Sequence, residues 1–285
     1  MMEWAWVTSA LSMTLPTTLS FILLFIGVLI GLVLGLTGSG GSLLAVPLLV
    51  VLLPLELPEA IGISLAVVAF SAMVGAFHHF KHGLVIWPPT LFFAVFGSAF
   101  TPLGYQLGQW LPSLIITLLF SGLTLIIAVT MWKKSLSPRK AVLRANASSD
   151  NKDINDRGHG VLFSAKSMLS VIVAAALTGV LSGLLGVGGG FVIVPALTLL
   201  LGMSMRHAVA SSLVIITLVS SVGFYQYLLF TPIINTNFMA FLMAGSAVGM
   251  GLGIILSRRM SSEKLQKIFS VIMVLMAAVM LVKNG

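Results

Sequence analysis

Two glycine-rich segments are the strongest candidates for chemistry in this sequence. Residues 35–42 read GLTGSGGS, and residues 183–190 read GLLGVGGG; we call them the first and second elbow. Glycine costs a helix up to about 1 kcal/mol relative to alanine, so four glycines this close together favour an interrupted helix. The helix that follows begins with free N–H groups and a positive dipole end. Both features suit an anion.

The two elbows supply most of the candidate substrate-binding residues. Hydroxyl groups of Thr37, Ser39 and Ser42 add donors to the first elbow, whereas the second elbow has none. The sequence therefore predicts an asymmetric site, with close helix packing as the alternative role for these glycines. The candidates are Gly38, Ser39, Gly40, Gly41 and Ser42 in the first elbow and Gly186, Gly188, Gly189 and Gly190 in the second.

Two serines and two prolines follow the elbows at equivalent spacing. Ser64 and Ser212 are further candidates for binding a substrate, although a serine in an apolar helix often bonds a carbonyl of its own helix. Pro47 and Pro195 each lie six residues beyond an elbow glycine. Because proline lacks an N–H group, we expect both prolines to break the helical hydrogen-bond ladder.

A histidine cluster ends the next apolar segment, in the sequence HHFKH at 78–82. Histidine can carry protons near neutral pH, which makes His79 a candidate for proton coupling. A basic loop at a membrane surface is the alternative interpretation. No Asp or Glu lies inside an apolar segment, which disfavours transport of a cation.

Enzyme and cofactor signatures are missing from the sequence. It contains no cysteine, no GxxxxGK[ST] and no HExxH, so we expect neither a thiol nucleophile, nor ATP binding through a P-loop, nor a bound metal. The GVG at 186–188 lies in an apolar repeat without strands and does not predict dinucleotide binding. The sequence therefore predicts no enzyme and no cofactor.

Composition identifies the class of protein that positions these residues. Of the 285 residues, 58% are hydrophobic and only 8% are charged, against about 25% charged in soluble domains. We therefore predict an all-α polytopic membrane protein with no nucleic-acid partner, since helices satisfy their own backbone groups within lipid. The net charge of +8 indicates topology, because Lys and Arg favour the cytoplasmic side.

The apolar segments fall into two groups around one polar stretch. Residues 133–166 hold eight of the fifteen basic residues. The predicted units are membrane repeat 1 at 18–132, a cytoplasmic linker at 133–165 and membrane repeat 2 at 166–285. The apolar segments are 19–36, 42–55, 60–78, 84–107 and 111–132, then 166–187, 190–203, 207–230, 236–257 and 264–283. Segments 42–55 and 190–203 are short for a full crossing.

An internal repeat relates the two groups. A shift of 148 residues aligns 31–75 with 179–223 without a gap, and 16 of 45 positions are identical, including six glycines and one proline. Apolar composition alone would not align those glycines. Three sets of small residues spaced by four predict close helix packing instead of binding: Gly27, Gly31 and Gly35; Ala175, Gly179 and Gly183; and Gly245, Gly249 and Gly253.

The loops of the two repeats differ in charge where they correspond. The 54–59 connection carries Glu56 and Glu59, whereas its counterpart at 203–207 carries Arg206. The basic connection at 78–82 corresponds to an uncharged one at 228–236. This contrast predicts two repeats of inverted topology, each of about five helical segments, with broken or re-entrant helices at the elbows. Inverted repeats are typical of secondary transporters.

These motifs together resemble the sulfite exporter TauE/SafE family of bacterial membrane proteins. The resemblance rests on the pattern G-x3-G-x2-G-x-G-G-x5-P at 31–47 and 179–195, and on A-x3-S-L at 60–65 and 208–213. The first elbow departs from the commoner G-x-G-G-G form by placing Ser42 last. The resemblance implies transport of sulfite, sulfonates or related small anions across the bacterial inner membrane.

The sequence thus predicts a secondary transporter that exports a small sulfur-containing anion by alternating access. A passive anion channel and a membrane scaffold or accessory subunit without transport are the alternatives. We expect an inner-membrane protein with linker 133–165 in the cytoplasm and both termini in the periplasm. The expected partners are the anion, the lipid bilayer and, as an open possibility, further copies of the chain.

Overall fold

The computed structural model describes residues 17–38, 41–53, 55–112, 165–230 and 236–257, with scattered positions from 114 to 129 and residue 274. Most of the linker and the segment at 264–283 lie outside these residues. All regular structure in the described ranges is α-helical. Eight helices are defined: α1 Thr17–Thr37, α2 Gly41–Leu52, α3 Leu57–Lys81, α4 Trp87–Trp110, α5 Ala165–Leu185, α6 Gly190–Leu199, α7 Met205–Phe230 and α8 Thr236–Ser257.

Helix length and burial separate spanning helices from internal ones. Helices α1, α3, α7 and α8 are each long and apolar enough to cross a membrane. Helix α2 has 12 residues and α6 has 10, roughly 18 and 15 Å against a hydrocarbon core of about 30 Å. Residues Gly41 to Val50 of α2 are all buried. The short helix α2 therefore lies inside the bundle and not against lipid.

The polarity of the bundle suits a lipid environment. Large apolar side chains face outward, as in Phe21 at 74% exposure and Val95 at 64%. The buried polar side chains of the described residues are all serine or threonine. This pattern, apolar outside and hydroxyl-bearing inside, is the one expected of a polytopic membrane protein.

Glycines bring α1 and α8 into backbone contact. A Cβ at Gly27 would meet the carbonyl of Leu242, and a Cβ at Gly35 would meet that of Met250. Contacts advance in the same direction along both helices, so α1 and α8 are parallel. The prediction of close packing is confirmed for this interface, whose glycines are Gly27, Gly31, Gly35, Gly245, Gly249 and Gly253.

Helices α4 and α5 form the corresponding pair in the other half of the bundle. A Cβ at Gly179 would meet the carbonyl of Gly97, and one at Gly183 the carbonyl of Thr101. These two helices are therefore also parallel. The 148-residue shift relates α1 to α5 and α8 to α4, so one interface is the counterpart of the other.

Helices α3 and α7 cross at the centre and run antiparallel. Gly62 in α3 faces the ring of Tyr227 in α7. Gly75, which is 13 residues later in α3, faces Leu213, which is 14 residues earlier in α7. This register places Val68 opposite Ser220 near the middle of both helices. Since α3 and α7 are counterparts under the shift, corresponding helices of the two repeats point in opposite directions here.

The charged residues of the described ranges separate to opposite ends of the bundle. Glu56 and Glu59 lie where α3 begins, which we call the acidic end. Lys81 ends α3, and Lys166 and Arg206 lie near the starts of α5 and α7. A Cβ at Gly97 would meet Val219 and one at Gly223 would meet Thr101, so α7 is parallel to α4 and hence to α5. Because α7 is also antiparallel to α3, these three residues share the other end, which we call the basic end.

The α1–α8 interface yields a test of glycine packing. We expect Gly249→Val to destabilise the protein by about 1–3 kcal/mol, because the new side chain overlaps the Val28 carbonyl. Gly251→Val on the same helix is the matched control, since nothing lies within 4 Å of its Cβ position. Thermal unfolding in detergent measures both. Equal midpoints for the two variants would contradict the packing role.

Candidate functional site

The first elbow begins with a left-handed glycine that ends α1. Gly38 has φ 71°, and its N–H donates to the carbonyl of Leu34 at 2.7 Å. Such a residue closes a helix at little cost only when it is glycine. Ser39 and Gly40 lie outside the described residues. Helix α2 then begins at Gly41.

The second elbow also begins with a left-handed glycine that follows a helix, and it contains two further left-handed glycines. Gly186 has φ 67°, and its N–H donates to the carbonyl of Ser182 at 3.0 Å. Gly188 and Gly189 also have positive φ, at 67° and 65°. Gly189 is the N-cap of α6, which begins at Gly190. Left-handed backbone costs other residues about 1–2 kcal/mol each, so three positions of this elbow favour glycine.

Ser64 of the first repeat bonds the second elbow, and Ser212 of the second repeat bonds the first elbow. The Ser64 hydroxyl donates to the carbonyl of Gly186 at 2.8 Å. The Ser212 hydroxyl lies 3.0 Å from the carbonyl of Gly38 and 2.8 Å from that of Val209 in its own helix. Each repeat thus holds the elbow of the other through an equivalent serine. The own-helix alternative applies to Ser212 only in part, and a contact of either serine with substrate stays a prediction.

The two elbows lie toward opposite ends of the bundle. A Cβ at Gly186 would meet Ile61, 2.7 Å from its Cγ2, in the first turns of α3 toward the acidic end. A Cβ at Gly38 would meet Val209, in the first turns of α7 toward the basic end. Ile61 and Val209 correspond under the 148-residue shift, so the two contacts are equivalent.

The second elbow leads inward to the centre of the bundle. A Cβ at Gly188 would meet the Ser220 hydroxyl, Val68 at 3.2 Å and Ile216 at 3.3 Å. Val68 and Ile216 are counterparts, and both lie where α3 crosses α7. The N-terminus of α6 therefore lies beside this crossing point.

Close packing also constrains the elbow glycines that start the short helices. A Cβ at Gly41 would overlap the backbone of Leu34, and one at Gly189 would lie 2.8 Å from the carbonyl of Thr178. Ser42 is fully buried. Substituting Gly41 or Gly189 would thus disturb packing as well as any ligand, so less disruptive positions are needed to test binding.

Neither proline ends the helix that contains it. Helix α2 continues through Pro47 to Leu52, and α6 continues through Pro195 to Leu199. Each proline therefore leaves its helix without one N–H donor, but it does not break the helix as the sequence predicted. The chain breaks at the elbows instead.

His79 lies in the last turns of α3, toward the basic end. Its Nδ1 is 2.9 Å from the carbonyl of Gly75, and its ring is 5.5 Å from that of His78. Eleven residues separate it from Val68, roughly 16 Å along the helix. The structure therefore does not bring His79 to the central end of the second elbow. Proton coupling through His79 stays a prediction.

Ser220 is the central residue that sequence reasoning missed. It is fully buried, and its hydroxyl has no hydrogen-bond partner among the described residues. Its counterpart in the first repeat is Ala72. The internal repeat points to residues that occur in both halves. It therefore gives no signal for a hydroxyl group that occurs in one half only.

Known proteins resemble the chain over most of its length. The family model for the sulfite exporter TauE/SafE family matches residues 23–280. A "Probable membrane transporter protein" of Xylella fastidiosa strain Temecula1 is 31% identical over 248 residues, covering 85% of this chain and 87% of that protein. The "Probable membrane transporter protein YunE" of Bacillus subtilis is 25% identical over 247 residues, covering 84% and 89%. No solved structure gives a significant match.

The crosswise serine bonds yield a stability test. We expect Ser64→Ala to destabilise the protein by about 1–3 kcal/mol, because a buried carbonyl of the second elbow loses its donor. Ser246→Ala is the control, since that hydroxyl bonds Met243 within its own helix. Thermal unfolding in detergent compares them. A loss for Ser246→Ala as large as that for Ser64→Ala would argue against an elbow-holding role.

Proposed function

The chain belongs to the sulfite exporter TauE/SafE family of membrane transporters, and from this membership we propose that it exports a small sulfur-containing anion by alternating access. Sulfite and organosulfonates are the proposed substrates. The observation that carries the proposal is the position of the second elbow, which brings the N-terminus of α6 beside the crossing of α3 and α7.

The proposed binding site uses backbone dipoles in place of fixed charge. The first N–H groups of a helix have no partner within that helix, and its N-terminus carries roughly half a positive charge. Helix α6 presents this end at the centre, and α2 presents the equivalent end after the first elbow. No Lys or Arg lies in the middle of a described helix, so an anion there depends on N–H and hydroxyl donors.

The proposed cycle uses two inverted repeats. The antiparallel packing of α3 and α7 and the opposite placement of the elbows support it. In this cycle, release of the Ser212–Gly38 bond opens a path from the basic end, and release of the Ser64–Gly186 bond opens one from the acidic end. The basic end faces the cytoplasm with linker 133–165, and both termini face the periplasm of the inner membrane.

The membrane potential favours this direction of transport. An anion leaving a cell that is negative inside gains about 2.3 kcal/mol per charge per 100 mV. The membrane potential is therefore one sufficient driving force for export of a singly charged anion, and a proton gradient is the other that the proposal allows. His79, near the basic end of α3, is the proposed proton carrier for coupled transport, and a dependence of flux on an imposed pH gradient tests that role.

Flux measurements in liposomes test the transport proposal. We expect purified protein to take up labelled sulfite in a saturable manner, and unlabelled sulfite inside the liposomes to accelerate that uptake several-fold. Sulfite on the opposite side accelerates uptake only if the protein is a carrier whose binding site returns across the membrane with sulfite bound. Non-saturable uptake without acceleration would indicate a channel, and no flux of sulfite, thiosulfate, sulfoacetate, taurine or a carboxylate would indicate a scaffold.

Cysteine labelling tests the two paths, because the chain has no native cysteine. We expect a thiol at Ile61→Cys to react faster with an impermeant maleimide from the outer face when Ser64→Ala is added. Ser212→Ala is expected to do the same for Val209→Cys from the inner face. Exposed positions Glu59→Cys and His82→Cys report the two faces. Reaction of both path positions from one face would contradict alternating access.

A further inference from the structure

Four buried serine hydroxyls have no hydrogen-bond partner among the described residues. They belong to Ser71, Ser121, Ser182 and Ser220. A buried hydroxyl in a bilayer protein ordinarily bonds a carbonyl of its own helix, as Thr101 and Thr178 do here. Hydroxyls that do not are uncommon and call for a physical explanation.

One of these four hydroxyls contacts the second elbow, and two others lie one helical turn along the chain from residues of the elbow or from a neighbour of it. Ser220 directly faces Gly188. Ser182 lies one turn before Gly186 on α5, and Ser71 lies one turn beyond Val68, which also faces Gly188. Ser220 is therefore the unsatisfied donor that contacts the elbow directly, beside the N-terminus of α6.

The repeats differ at this point in a complementary way. The first elbow ends in Ser42, whereas the second ends in Gly190 at the equivalent position. Conversely, the central helix of the second repeat carries Ser220 where that of the first carries Ala72. At each of these two positions, therefore, only one half carries a hydroxyl, Ser42 in the first and Ser220 in the second.

We propose that Ser220 donates a hydrogen bond to a small oxyanion held at the N-terminus of α6, and that it sets the affinity of the second half-site. This inference rests on the transport function proposed above. A hydroxyl bonded to an oxyanion makes a short, charge-assisted bond stronger than one to a neutral acceptor. A neutral donor also avoids placing a permanent charge in the bundle. Ser220 would thus supply a hydroxyl donor next to the second elbow, whose own residues 183–190 carry none.

Ser220→Ala tests the proposal by sulfite counterflow in liposomes. We expect the KM for sulfite to rise about tenfold or more, which is the loss of one hydrogen bond to a charged group. Thr217→Val is the matched control, because that hydroxyl lies one turn earlier on α7 and bonds Leu213 in its own helix at 2.7 Å. Its KM is expected to stay within twofold of wild type.

Thermal unfolding in detergent separates a binding role from a structural one. Without ligand, Ser220→Ala is expected to unfold at or above the wild-type temperature, because no protein hydrogen bond is lost. Added sulfite is expected to stabilise wild type more than Ser220→Ala at the same concentration. A lower unfolding temperature with an unchanged KM would overturn the proposal.

The two proposals fail in different ways. Sulfite flux by wild type with an unchanged KM in Ser220→Ala would overturn the role of Ser220 alone. Absence of flux, with stabilisation by sulfite, thiosulfate or sulfoacetate that weakens in Ser220→Ala, would overturn transport and support the site. Equal stabilisation of both proteins by every one of these anions, or stabilisation by none, would overturn the site directly.

Discussion

The backbone groups at the interrupted helices impose the constraint on which the rest of the structure depends. Lipid offers no hydrogen-bond partner, so a carbonyl at a helix end inside the bundle needs a protein donor. The carbonyls of Gly38 and Gly186 obtain theirs from Ser212 and Ser64 of the opposite repeat. Neither elbow is therefore complete within its own repeat, and the two halves must fold against each other.

Close backbone packing makes that arrangement possible. Glycines bring α1 against α8 and α5 against α4. The first helix of each repeat therefore packs against the last described helix of the other repeat. Helices α3 and α7 occupy the centre between these two pairs. The second elbow contacts the point where α3 and α7 cross, and α6 begins there. Small residues on the periphery thus determine the position of the polar groups at the core.

The sequence predicted the helical fold because that fold depends on local chemistry. Apolar runs specify spanning helices, and positive φ at Gly38 and Gly186 requires a residue without a side chain. The partners of Ser64 and Ser212 lie 122 and 174 residues away, a separation that no spacing rule reveals. Ser220 escaped detection for a different reason, since its role depends on a contact with an elbow and not on repetition.

Charge at the two ends complements a centre that has none. In the proposed export of an anion, Lys81 and Arg206 at the basic end raise its local concentration at entry, whereas Glu56 and Glu59 at the acidic end oppose its return. These effects fade beyond about 10 Å at moderate salt, so they act on approach and not on binding. Binding at the centre then depends on N–H and hydroxyl dipoles, which an anion can leave without separating from a full countercharge. A buried arginine in their place would bind more tightly but would slow release, since breaking a buried ion pair strands both charges in low dielectric. Uncharged donors at the core and charges only at the ends therefore suit a protein whose ligand must depart as readily as it arrives.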